Sequence, residues 1–158
     1  MRTVWTLGAL ALLLTAGLAT FLAPLEPGAV ALQLTFSPQA FAEVVHRWSP
    51  QDLARYRRHL PLDFALLATY GCFGFLLARR AAMFAGWTPR ARARAANLMP
   101  SAAVCDAAEN LLHGWLTEVP RFGVPAVYPF AGSVALLKWL LIIGFGVLVA
   151  RAVLRHRM

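Results

Sequence analysis

The stretch FAGSVALLKWLLIIGFGVLVA, residues 130–150, contains 21 residues and a single charged side chain, Lys138. A helix of roughly 20 apolar residues crosses a hydrocarbon core about 30 Å thick. Within that core every backbone polar group needs an internal hydrogen bond, which a helix provides. The stretch therefore predicts a membrane-spanning helix, and its lysine predicts a polar contact with a neighbouring helix.

Three further apolar blocks precede this one, at residues 4–23, 62–78 and 95–116. Only 14% of the 158 residues are charged, against about a quarter in an ordinary soluble domain. The first block is too long for a signal-peptide core and lacks a clear cleavage site, so we interpret it as a retained anchor. The sequence predicts an all-α polytopic membrane protein, with a four-transmembrane-helix bundle forming a single domain over residues 1–158.

The arginines predict the orientation of this bundle. The net charge is +8 and the pI about 11.0, but the basic residues lie mainly at the ends of apolar blocks, which argues against nucleic acid as a partner. With the N-terminus inside, nine basic residues are cytoplasmic and five lie in the two outer segments. We therefore expect both termini to face the cytoplasm at a bacterial inner membrane, with the bilayer as the principal partner.

The outer segment, residues 25–60, contains two signals for helix starts. Ser37-Pro38 and Ser49-Pro50 each place a capping hydroxyl before a proline, and Asp52 completes a capping box with Ser49. These signals predict short interfacial helices between the first and second spans. Such helices either seal the outer end of the bundle, the interpretation we favour, or form a lid over a site.

Four glycines within the apolar blocks predict close contacts between helices. Small residues allow helix backbones to approach each other in membrane bundles. We expect this role for Gly71 and Gly74 in the second block and for Gly144 and Gly146 in the fourth.

The third block carries a stripe of polar side chains in SAAVCDAAENLLHGWL, residues 101–116. At 100° per residue, Asp106, Glu109, Asn110 and His113 lie within an arc of about 100°, and Thr117 continues the same face. Ionisable groups at membrane depth normally face a bundle interior or a water-filled cavity. This face is therefore predicted to point toward other helices.

Neighbouring spans offer polar groups at matching depths. A rise of about 1.5 Å per residue places Glu109 about 10 Å and Asp106 about 15 Å below the outer boundary, and Lys138 at about 12 Å. These depths predict an ion pair between Glu109 and Lys138. Asp63 and Tyr70 are seven residues apart and share a helix face, and His59 lies at the outer end of that span. The sequence predicts one outward-opening cavity lined by three spans.

The same residues leave several chemistries open. Glu109 and His113, with Asp63 or Asp106, could together hold a divalent metal, although no standard zinc motif is present and no cofactor is predicted. Alternatively, Glu109 or Asp106 serves as a general base with His113, while Lys138 stabilises charge. Three carboxylates face one lysine, and a buried unpaired carboxylate needs a proton, a metal or a cationic ligand.

Two strings in the chain resemble those of a family of small bacterial four-helix membrane proteins without an assigned function. One runs from Leu62-Asp63-Phe64 to Tyr70-Gly71, and the other is Asp106-Ala-Ala-Glu109-Asn110. Residues 32–36 and Trp48 are similar to that family as well. The resemblance implies the four-helix bundle and directs attention to Asp63, Tyr70, Asp106, Glu109 and Asn110. It implies no reaction.

Three functions follow as hypotheses. The first is an inner-membrane protein whose polar cavity binds a small or lipid-like ligand or a cation, with ligand-binding residues Asp63, Tyr70, Asp106, Glu109, Asn110, His113 and Lys138. The second is a membrane-embedded acid-base or metal-dependent enzyme acting on a lipid or isoprenoid substrate. The third is a structural or assembly subunit, homo- or hetero-oligomeric, in which the polar stripe only locks helices together.

Overall fold

The computed structural model describes residues 1–119 and 121–157, with the side chain of residue 157 left out. The described part of the chain is all helical, without β-strands. Its six α-helices are α1 (Arg2–Leu22), α2 (Ala29–Gln33), α3 (Pro38–Arg47), α4 (Pro50–Arg80), α5 (Pro89–Leu116) and α6 (Val127–Arg157). A short 3₁₀ helix, Ala82–Phe84, lies between α4 and α5.

Local hydrogen bonds explain where three of these helices begin. The Ser37 hydroxyl accepts a hydrogen bond from the backbone of α3, and Ser49 and Asp52 form a reciprocal capping box at the start of α4. Thr88 caps α5 in the same way, since its hydroxyl accepts from the Ala91 amide at 3.3 Å. All three caps precede a proline, which tolerates the first helical turn because its missing N–H would have no partner there. Both predicted helix starts are confirmed.

The extents of the helices differ from expectation in the outer segment. The start at Ser49 does not begin a separate short helix, because α4 continues through Pro61 to Arg80. An interior proline removes one backbone hydrogen bond, a local loss that packing against neighbouring helices offsets. Helix α2 was not predicted, because no side-chain cap marks its start in the sequence. Helix α5 begins at Pro89 rather than near residue 95.

The long helices pack in the order α1, α4, α5, α6. Helix α4 packs against both α1 and α5, and α6 packs against α5, whereas α1 and α6 make at most a marginal contact. The apolar core between them contains Leu67, Leu77, Met99 and Phe145. The bundle is therefore open on the side between its first and last helices.

Helices α2 and α3 cover one end of the bundle, which we call the capped end. A second cluster of buried residues forms there, built from Leu25, Leu32, Phe41, Val44, Trp48, Tyr56, Leu60, Leu116, Tyr128 and Ala131. The Trp48 indole N–H donates to the Pro27 carbonyl at 2.7 Å, which ties the end of α3 to the chain before α2. The α2–α3 segment is thereby packed onto the ends of α4, α5 and α6.

Three of these helices are long and apolar enough to cross a membrane, by length and composition. The mean hydropathy of an 18-residue apolar stretch is 1.8 within α1, 1.6 within α4 and 2.3 within α6. Helix α5 does not meet the same criterion, although its 28 residues exceed the length needed to span. It is the helix that carries the polar stripe, which lowers its mean hydropathy.

The glycine prediction is confirmed for α4 and wrong for α6. A Cβ added at Gly71 would lie 3.2 Å from Ala103 Cβ, and one at Gly74 would overlap the side chain of Met99. Around Gly144 and Gly146 there is open space within 4 Å. Close backbone approach therefore occurs between α4 and α5, and the α6 glycines face away from other helices.

We expect Gly74→Ala to destabilise the bundle, because the added methyl group collides with the base of the Met99 side chain. Overpacking of this kind costs about 1–3 kcal/mol. Thermal unfolding in a mild detergent should show a lower Tm for this variant. Gly144→Ala is the matched control, since it adds the same group in open space on another spanning helix. An equal effect of both substitutions would contradict the α4–α5 contact.

Candidate functional site

Lys138 of α6 lies in the interior of the bundle, only 3% exposed. Its Nζ atom is 3.0 Å from Asp106 Oδ1 and 2.6 Å from Glu109 Oε2. The two carboxylates are three residues apart on α5 and so share one helix face. The predicted ion pair between Glu109 and Lys138 is present, and Asp106 joins it to form a buried triad.

Two hydrogen bonds connect α4 to the same face of α5. The Tyr70 hydroxyl donates to Asp106 Oδ2 at 2.9 Å. The Asn110 side-chain amide donates to Asp63 Oδ2 at 2.7 Å. Asp106 therefore receives hydrogen bonds from both α4 and α6, one on each carboxylate oxygen.

His113 lies nearer the capped end and contacts a residue that the sequence did not single out for the site. Its Nδ1 atom is 2.7 Å from the Tyr56 hydroxyl and 3.9 Å from Glu109 Oε1. The ring is 1% exposed. Thr117, one turn further along α5, donates its hydroxyl to the His113 carbonyl at 2.6 Å.

Helix α3 and the start of α6 close over this histidine. The Phe41 ring packs edge-on against His113, with centroids 5.7 Å apart, and against Tyr128, with centroids 5.2 Å apart. The Trp48 ring lies 5.0 Å from that of Tyr56. His113 is thus covered by aromatic side chains at the capped end.

Continuation of α4 through Pro61 creates a second polar stripe. At 100° per residue, Tyr56, His59, Asp63 and Tyr70 fall within an arc of about 60°. The His59 ring donates from Nδ1 to the Tyr56 carbonyl, since a carbonyl oxygen can only accept. Sequence reasoning missed Tyr56 because it placed a helix boundary near Pro61. Extending the helical periodicity across that proline would have found it.

A cavity of about 350 Å³ lies beside this polar core. Its apolar lining residues come mainly from α1, α2 and α6. The polar and ionisable side chains that line it are Thr15, Gln33, His59, Asp63, Tyr70, Asp106 and Lys138. Four of the residues predicted to bind ligand line this cavity, namely Asp63, Tyr70, Asp106 and Lys138. The other three, Glu109, Asn110 and His113, are not among its lining residues.

A second cavity, of about 390 Å³, lies at the capped end between α3 and the α5–α6 connection. Aromatic and aliphatic side chains dominate its walls, including Phe41, Trp48, Leu53 and Phe122. Its two charge-bearing residues, His46 and Glu118, are exposed. The cavity beside Lys138 is therefore the stronger candidate site, because it alone of the two is lined by a buried carboxylate and a buried ammonium group.

Glu109 is the least satisfied polar residue of the described part of the chain. It is fully buried, and neither of its carboxylate oxygens accepts a directed hydrogen bond there. Lys138 Nζ lies 2.6 Å from its Oε2 atom, and His113 Nδ1 lies 3.9 Å from its Oε1 atom. The site thus holds more carboxylate than the single ammonium group neutralises, since Asp106 and Asp63 lie close by.

The described residues contain no cluster of three or more histidine, cysteine, aspartate or glutamate side chains spaced to hold a metal ion. Each of the three metal-ligand candidates, Glu109, His113 and Asp63, contacts a different side chain of the core. Lys138 faces Glu109, Tyr56 faces His113 and Asn110 faces Asp63.

Fold and site together describe an all-helical protein with membrane-span candidates and a buried carboxylate–lysine core. No family model, no curated protein and no solved structure matches the chain. The resemblance to small bacterial four-helix membrane proteins therefore stays a prediction.

We expect Lys138→Met to be strongly destabilising, because it leaves Asp106 and Glu109 buried without their cation. Removing one partner of a buried ion pair costs about 3–5 kcal/mol. The triple variant Lys138→Met, Asp106→Asn, Glu109→Gln should recover part of the lost Tm, because it removes the orphaned charges as well. Leu137→Met, at an exposed neighbouring position, is the control. If the triple variant were no more stable than the single one, the triad would not be a charge network.

Proposed function

We propose that this protein is a four-span inner-membrane protein whose outward-facing intramembrane cavity binds a small or lipid-like ligand. In this arrangement α5 crosses the membrane together with α1, α4 and α6, both termini are cytoplasmic, and the capped end faces outward. The observation that supports a binding function is the 350 Å³ cavity that borders Asp63, Asp106 and Lys138. Space beside buried charged groups serves no purpose in a bundle that is only held together by them.

The packing of α5 supports its assignment as a span. It lies between α4 and α6, both of which are apolar enough to cross a membrane. Its polar side chains point into the bundle, where Asp106, Glu109 and Asn110 are buried. The face of α5 that points away from the bundle carries exposed apolar residues such as Val104 and Leu111, which are suited to contact with lipid.

A structural lock is the second candidate, favoured by a specific observation. Most polar groups in the core are paired with one another across α4, α5 and α6, through the contacts of Tyr70, Asn110 and Lys138. Interhelical hydrogen bonds of this kind stabilise membrane bundles by roughly 0.6–2 kcal/mol each. A lock explains these pairings but not the cavity beside them.

Accessibility of introduced cysteines tests the proposed topology. In a background with Cys72→Ser and Cys105→Ser, we expect Glu118→Cys to react with a membrane-impermeant maleimide added to intact spheroplasts. Ala85→Cys, in the connection between α4 and α5, should react only after permeabilisation. Both positions are exposed; Ala85 lies just before α5 and Glu118 just after it. Equal reaction of the two from one side would show that α5 does not cross the membrane.

Native mass spectrometry of protein purified in a mild detergent tests the binding function. We expect a co-purifying small molecule, and we expect Ala19→Trp to remove it because Ala19 lines the cavity and an indole would fill it. Ala16→Trp is the matched control on the exposed surface of the same helix. If no molecule co-purifies, and if Asp106→Asn lowers only Tm, the cavity has no binding role and the lock remains.

A further inference from the structure

We infer that the cavity takes an amphiphile with an ammonium head group, and that this ligand enters from the membrane through the gap between α1 and α6. The inference rests on the proposed binding function and narrows it to one ligand class and one route. The charge balance of the cavity, its acceptor groups, its aromatic wall and the gap in the bundle point to the same class.

The charge balance favours a cation. Lys138 already contacts Asp106 and Glu109, so its charge is shared between two carboxylates. Asp63 also lines the cavity, and among the described residues its only hydrogen bond comes from the neutral amide of Asn110. An ammonium group placed beside Asp63 reduces this surplus of negative charge. An anionic phosphate there would meet a carboxylate without a free cation.

The hydrogen-bonding groups favour a donor-rich head group. Because His59 donates from Nδ1 to a backbone carbonyl, its Nε2 atom is an acceptor whenever the ring is neutral. His59 lines the cavity together with Asp63 and Gln33. A primary ammonium carries three donors and no acceptor, which matches the two acceptors offered by His59 and Asp63.

An aromatic wall adds a second means of recognising a cation. The Trp139 ring lines the cavity, and Lys138 Nζ lies 5.3 Å from its centroid. The indole N–H donates to Gln33 Oε1 at 3.3 Å, which holds the ring against α2. Cations are attracted to aromatic faces within about 6 Å, most strongly to tryptophan. The ring therefore presents to the cavity an aromatic surface that already lies near one ammonium group, that of Lys138.

The shape of the bundle supports an attached hydrocarbon tail and a lateral route. The cavity lies where α1 and α6 fail to pack against each other. Its walls at this gap are apolar, with Leu18 and Leu22 from α1 and Ile142 from α6. A small hydrophilic cation makes no use of these walls. An alkyl chain occupies them while its head group reaches Asp63.

Photolabelling in micelles of the uncharged detergent dodecyl maltoside tests this inference. The probe is an octadecylamine that carries a diazirine in its chain, and the labelled peptides are identified by mass spectrometry. We expect labelling of α1 and α6 at the cavity, around Leu18 and Ile142. Unlabelled octadecylamine should compete, whereas octadecyl phosphate at a roughly tenfold higher concentration and butylammonium should not, because the first has the wrong charge and the second lacks the tail.

Two variants make the result specific. Asp63→Asn keeps an acceptor for Asn110 but removes the charge, so labelling at the cavity should fall about tenfold, the factor that corresponds to one well-placed charged contact. Glu118→Gln removes an exposed carboxylate near the same end of α5 and should leave labelling unchanged. Ala19→Trp should prevent labelling by filling the cavity, and Ala16→Trp should not.

The outcomes separate this inference from the proposed function. Equal competition by octadecyl phosphate, or unchanged labelling of Asp63→Asn, overturns the ammonium assignment and leaves a binding cavity of another specificity. Competition by butylammonium as effective as that by octadecylamine overturns the amphiphile and its lateral route. Cavity labelling that is insensitive to Ala19→Trp, together with no co-purifying molecule, overturns both proposals.

Discussion

The buried ammonium group of Lys138 is the constraint on which the other interhelical contacts depend. A charge in an apolar interior is tolerated only when opposite charges and hydrogen-bonding groups surround it. Asp106 and Glu109 supply those charges from one face of α5, which fixes the rotation of α5 and its height relative to α6. Tyr70 donates to the far oxygen of Asp106 and extends the same constraint to α4. One ammonium group thereby couples three helices.

Helix α1 is held differently from the other three. Three of its four threonines, at positions 6, 15 and 20, donate their hydroxyls to backbone carbonyls one turn back in α1 itself. Its contact with α4 is apolar and involves few buried residues, among them Val4 and Ala11. The helix therefore contributes a wall to the cavity without taking part in the polar core. Among the described residues, displacement of α1 breaks no interhelical hydrogen bond, whereas displacement of α4, α5 or α6 does.

The parts of the structure that follow from local periodicity were predictable, and those that depend on which faces meet were not. The stripe on α5 follows from counting 100° per residue, and Ser37 and Ser49 mark helix starts because capping is a local interaction. Thr88-Pro89 repeats the same signal and would have placed the start of α5 correctly. The predicted helix boundary near Pro61 was wrong, because a proline ends a helix in water more often than within a packed membrane bundle.

The glycines and the cavity show the limit of sequence reasoning. Spacing cannot tell whether Gly74 or Gly144 faces a neighbouring helix, since that depends on the order of packing around the bundle. Predicting the polar stripe of α4 requires knowing that the helix continues through Pro61 and that this face points toward α5. Only this arrangement brings Tyr56 into contact with His113.

The distribution of satisfied and unsatisfied groups distinguishes a lock from a binding site within one core. Asp106 is saturated, with each oxygen accepting from a different helix, and this is what a structural contact requires. Asp63 is half-buried, accepts from a neutral amide and borders open space, and Glu109 accepts no directed hydrogen bond. A protein that needed only the lock would gain stability by replacing Asp63 with an uncharged residue, because a carboxylate at membrane depth is costly without a cation. The ammonium ligand that we propose would supply this missing positive charge at the cavity wall.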